Sequence, residues 1–195
     1  VAYPYLGQPL VVQLKPGGPT VVATLLTSDD GDGFRLADLS GGKEAVLAEL
    51  SGLPKGSDYV VGQFGAGGGM AAVFYQRGEG TIRAVTIGEA AGKPTLGPLK
   101  SFDLGKPVKV ALAVPGEKGM QLLVLPGKGD TAEVYAFDGG TEPKPVQTLA
   151  LNQGDLWFGA VALAKQFLVF SGADYSKIAT HVQEYQFAGN TNAMV

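Results

Sequence analysis

The chain has 195 residues, among them 30 glycines, 12 prolines and no cysteine, and carries a formal net charge of −3 from 15 Lys+Arg against 18 Asp+Glu. Glycine and proline well above their usual combined share of about 12% speak against long helices, and a composition of 45% hydrophobic and 17% charged residues excludes a disordered chain. The absence of a basic run argues against nucleic acid and anionic membrane surfaces as partners, no apolar stretch nears the roughly 18 residues of a spanning helix, and zero cysteine removes disulfides, thiolate metal sites and a cysteine nucleophile.

Gly7, Gly56, Gly105 and Gly154 recur every 49 residues and open similar phrases: GQPLVVQL, GSDYVVGQF, GKPVKVALA and GDLWFGAVA. The column Val12, Val61, Val110 follows them, with Gly159 in the fourth unit. Each unit reads as short strands parted by Gly/Pro turns, the pattern of antiparallel hairpins. The first predicts strands over 10–14, 21–26, 34–39 and 45–50, and the second over 60–64, 70–75, 82–87 and 99–104. The third predicts 108–114, 120–125, 132–137 and 146–151, and the fourth 158–163, 166–170 and 179–187. The second strand of each unit (VVATLL, MAAVFY, MQLLVL, QFLVF) is the least alternating, as expected of a strand buried on both faces.

Four strands every 40–50 residues predict an all-β propeller, because a single twisted sheet cannot cover its own two apolar faces whereas stacked blades cover each other's. The expected fold is one domain, 1–195, of four four-stranded antiparallel blades over about 7–55, 56–104, 105–153 and 154–195, with 1–6 supplying the last strand of the fourth. That closure follows from VAYPYLGQP matching LKSFDLGKP ahead of the third unit, and it would remove exposed sheet edges. The alternative is a partial ring of a seven- or eight-bladed propeller.

The phrase DYVVGQFGAGGGMAAVFY (58–75), with Gly62, Phe64, Gly65 and the glycines at 67–69, resembles the FG-GAP (VCBS, integrin α-like) repeat β-propeller family. The resemblance implies a secreted or periplasmic propeller used for adhesion, binding or scaffolding. The family's calcium loop is not carried over, since its places hold Gln63, Gly65, Gly67 and Ala71, which bring no carboxylate for a hard cation.

The acidic cluster SDDGDG, with Asp29, Asp30 and Asp32, suits a calcium-binding turn, or a polar hairpin tip. Tyr59, Trp157 and Phe158 stand at the entry to first strands, placed to stack on a sugar or a partner's loop at the channel mouth, or to pack between blades. His181, the single histidine, lies in a predicted strand with Ser171, Asp174 and Ser176 before it, and no G-x-S-x-G elbow is present. The glycines at 65–69 and 77–80 precede strands, not the helix a phosphate loop requires, and read as turns. Two Pro/Lys-bearing loops, 88–98 and 139–145, exceed hairpin length and read as binding loops or solvated connectors.

Together these features predict a non-catalytic module that binds protein or glycan through its loops and channel mouth, with no required cofactor beyond the calcium candidate. The alternatives are a structural subunit of a larger assembly and a channel-sited hydrolase or lyase, for which only Asp58 and Asp155 sit near first-strand starts.

Overall fold

The computed structural model describes residues 5–14, 20–67, 69–116, 118–126, 131–150, 156–162, 166–172, 181–186 and 193–194. Among them every regular element is a strand, and no helix is long and apolar enough to cross a membrane. The first sheet runs β1 (Tyr5–Gln13), β2 (Thr20–Ser28), β3 (Gly31–Asp38) and β4 (Ala45–Leu53), each antiparallel to its neighbour in sequence. Next come β5 (Ser57–Phe64), β6 (Gly69–Gln76) and β7 (Thr81–Ala90), with both β8 (Lys93–Leu96) and β9 (Lys100–Asp103) paired to β7. The third series is β10 (Val108–Gly116), β11 (Gly119–Pro126), β12 (Thr131–Ala136) and β13 (Lys144–Ala150). A single parallel bridge, Phe64 to Met120, joins these two series into one nine-stranded sheet. The last sheet is β14 (Leu156–Ala162), β15 (Gln166–Gly172), β16 (His181–Gln186) and β17 (Ala193–Met194).

Alternation of side chains along a strand explains how the sheets stack. In β6, Met70, Ala72 and Phe74 join Val21, Ala23, Leu25, Phe34 and Leu36 of the first sheet in one core. The intervening Ala71, Val73 and Tyr75 turn the other way and meet Ala111, Leu122 and Val124 of the third series. Leu123 and Leu125 of β11 then face Phe167 and Val169 of β15. The middle series are thus covered on both faces, as the continuous apolar strands require. Each buried Leu or Phe in these layers contributes about 1.5–3 kcal/mol relative to an exposed one.

Two expectations need correction. Tyr5 and Leu6, the described part of 1–6, pair with Leu26 and Leu25 in the first sheet, and the fourth strand of the last sheet is β17. The reason is continuity: β1 carries on past an irregularity between Leu6 and Leu10 along the same partner strand, so its pairing with β2 is extended. Residues 1–4 lie outside the described residues. The 88–98 segment is likewise no plain connector. β7 runs on to Ala90 and folds back as β8, with Ala91 (φ 50°) and Gly92 (φ 78°) both left-handed, as a two-residue hairpin turn demands. This arm packs beside β4 of the first sheet.

Candidate interaction rims

Because successive strands reverse direction, their connections collect at two rims. One rim carries the β5–β6, β10–β11 and β12–β13 turns and the β7–β8 arm. Here the second and third series are tied together by one backbone bond and one side-chain bond. The Gly65 N–H donates to the Met120 carbonyl at 3.1 Å, and Lys100 Nζ donates to the Gly140 carbonyl at 2.6 Å. Asp138 braces the 139–145 loop by accepting from the Gly140 and Thr141 N–H groups (2.8 and 2.7 Å) and from the Thr141 hydroxyl (2.9 Å). Burial alone would push the Asp138 carboxyl upward, and these hydrogen bonds outweigh it, holding it below the usual carboxylate value. Between the turns lies a cleft of about 310 Å³, lined by Gly65, Ala66, Met120, Gln121 and Phe137 with the exposed Lys118 beside them.

The opposite rim carries the β2–β3, β6–β7 and β9–β10 connections. Gly78 N–H donates to the Val108 carbonyl and Val108 N–H to the Glu79 carbonyl, both at 2.8 Å, so the second and third series are stitched here too. Lys106 pairs with Glu133, which also accepts from the Tyr135 hydroxyl at 2.5 Å. These donors hold the Glu133 carboxyl below its ordinary value, so its contribution to stability is present above the unfolded-state value and is lost as pH falls through the depressed one. Thermal melts taken from pH 7 down to about pH 3 should therefore fall more steeply for the native chain than for Glu133→Gln. Parallel profiles would show that the pair contributes nothing.

The sequence-predicted site residues separate. Asp29 and Asp30 are exposed at the β2–β3 tip, whereas Asp32 is 1% exposed and points between sheets. Its Oδ2 accepts the Ser57 N–H at 3.0 Å, fixing the start of β5, and its Oδ1 has no hydrogen-bond partner among the described residues. Among the described residues no three His, Cys, Asp or Glu side chains gather as a metal-holding group. Tyr59 packs edge-on to Phe34 (centroids 5.9 Å apart) and donates its hydroxyl to the Ala23 carbonyl at 2.9 Å. Burial pushes its phenol up to about 12. It joins the first two sheets and is not presented at a mouth. Trp157 and Phe158 lie on β14, where the register to β15 shifts between Trp157 and Gly159, and their side chains lie outside what the structure describes. His181 pairs with Ser171 across β16 and β15, while Asp155, Asp174 and Ser176 fall outside the described residues. Asp58 is ion-paired to Arg77 at 2.8 Å. The cleft beside Lys118 was missed by sequence reasoning; its one signal is the pair of glycine turns at 65–69 and 116–119.

No family model matches the sequence, and no curated protein matches it. Among solved structures the chain is similar to the WD40 domain of SCAP from fission yeast, with a TM-score of 0.59 and 13% identity. The match covers 88% of this chain and 38% of that one, so the chain spans well under half the length of its structural neighbour. The likeness establishes the fold as a β-propeller type and leaves the FG-GAP resemblance resting on the 58–75 phrase.

Proposed function

We propose that this protein is a non-catalytic interaction scaffold that holds a protein segment in the cleft between the second and third sheets. The observation that supports this reading is the cleft's construction: apolar Met120 and Phe137, the polar Lys118 and Gln121, and walls made of backbone braced from both sides. Such a frame loses little order on binding, which favours affinity. An apolar side chain flanked by a carboxylate is the chemistry it suits. The nearby carboxylate of Asp138 already has structural work in its own turn, which favours binding over hydrolysis. The FG-GAP-like phrase supports a secreted or periplasmic setting under the same proposal.

An immobilised array of acidic–apolar peptides provides the test. Hits should weaken at least about tenfold, or by about 1.4 kcal/mol, in Lys118→Glu, with an unchanged melting temperature because Lys118 is exposed. Hits indifferent to that substitution, or binding confined to a glycan array, would overturn the reading.

A further inference from the structure

The floor of the cleft beside Lys118 is held in place. Phe137 stands edge-on to Phe64 and to Phe102, with ring centroids 5.6 and 5.8 Å apart, and Met120 lies beside it. One wall is a glycine turn packed too closely for a side chain, since a Cβ on Gly65 would sit 3.3 Å from the Phe137 carbonyl oxygen. Two polar side chains line this floor, and among the described residues neither Lys118 nor Gln121 has a side-chain hydrogen bond or ion pair. Lys118 is exposed at the β10–β11 turn. Gln121 is half-buried and lies along the hairpin, because a Cβ on Gly116 would come within 2.6 Å of its amide carbon. Gly116 has no left-handed φ, so its missing side chain serves space and not backbone conformation. Asp138, whose Cβ is beside Gly65, is occupied within its own turn. The charge the cleft offers a ligand is therefore that of Lys118.

Resting on the peptide-binding reading, we infer that this cleft takes the C-terminal residue of a partner polypeptide. In a terminal residue the apolar side chain and the carboxylate leave the same Cα, so one residue meets Phe137, Met120 and Lys118 together. An internal acidic residue needs a second residue to supply the apolar group. The volume agrees: about 310 Å³ is at the lower end of ligand pockets, roughly 300–1,000 Å³, and suits one side chain with its end group better than a run of residues. Gln121 complements the rest of that residue, because a carboxamide both accepts and donates. Its oxygen accepts the last backbone N–H, and its NH2 group donates to the carboxylate that Lys118 neutralises. Hydrogen bonds to an ionised group are about twice as strong as neutral ones, so recognition is concentrated on the chain end.

The probe is a set of N-acetylated pentapeptides ending in leucine or phenylalanine, each made as the free acid and as the C-terminal amide and titrated against the full chain. Amidation should weaken binding at least about tenfold, and in Lys118→Gln that penalty should shrink to less than about threefold. Gln121→Leu, which keeps most of the volume, should weaken the acid about fivefold. Melting temperatures should not change in either variant, since neither side chain is bonded within the described residues. Amidated peptides that bind as tightly as the acids and still depend on Lys118 overturn this inference and leave the peptide-binding reading standing. So does an amidation penalty that survives in Lys118→Gln, because the chain end would then be read elsewhere. Undiminished binding of the acid by Gln121→Leu overturns the part given to its amide. Binding of neither form, or binding indifferent to both Lys118 and amidation, removes the inference and the reading together.

Discussion

Gly119→Ala should lower the melting temperature by about 10 °C or more. Gly119 opens β11 at a φ of +113°, where a side chain is strained whatever space surrounds it. A Cβ there would also penetrate the Gly65 carbonyl oxygen, and backbone cannot swing aside as a flexible side chain can. The strain costs about 1–3 kcal/mol and the overlap about as much again. In a domain of this size each kcal/mol moves the melting temperature by about 2–4 °C. The damage has a defined place, because Gly65 and Met120 share the hydrogen bond that joins the second and third series. Gly56→Ala separates the two contributions: its φ is +75° with nothing within 4 Å of the added carbon, so it should show only the backbone cost of about 1 kcal/mol. Gly67→Ala, with open space and no left-handed φ, should be close to neutral. Equal melting of all three variants would mean that the close approach of the two turns is not what joins these sheets.

Much of the sheet architecture was legible because period-two burial writes itself into sequence. MAAVFY reads as continuous apolar residues since Met70, Ala72 and Phe74 serve one core and Ala71, Val73 and Tyr75 another. The 88–98 arm was not legible, because Pro94 masks a strand. Proline is tolerated there since β8 ends its sheet path, where a missing N–H leaves no ladder bond unmade. The ends of the propeller were misjudged for a related reason: a matching phrase fixes a position within a repeat but not which sheet's edge the strand takes, and for Tyr5 and Leu6 the pairing went to β2.

The candidate site was less legible than the fold. Asp29, Asp30 and Asp32 look like one cluster when spacing alone is considered. Alternation separates them, since Asp32 shares its face with Phe34 and Leu36 and must point inward, while Asp29 and Asp30 stay in the turn. Tyr59 falls by the same rule with Val61 on the face turned to the first sheet. The cleft beside Lys118 depends on two turns 50 or so residues apart meeting across a sheet junction, a long-range juxtaposition that neither local propensity nor periodicity encodes.

Phe34→Ala should produce a loss of comparable size at a different junction. Phe34 is fully buried and stands edge-on to Phe74 of the second series (centroids 5.1 Å, 69°) as well as to Tyr59 (5.9 Å, 62°). Removing the ring costs about 3–5 kcal/mol for a phenylalanine truncated in a core, or roughly 10–15 °C by the same size scaling. Stacked sheets contact only their neighbours, so the weakening should stay local. Hydrogen exchange should speed up first at the amides of β2 and β3, while those of β11 and β12, whose Leu123 and Val134 pack in the third core, keep their protection. Phe34→Leu should recover more than half of the loss by refilling most of the volume. Truncating Val146, which is 53% exposed, should change little. Protection lost evenly across all sheets in Phe34→Ala would mean that the layers melt as one cooperative body. In that case the chain would behave as a single closed core, and the layer-by-layer account of its stability would fail.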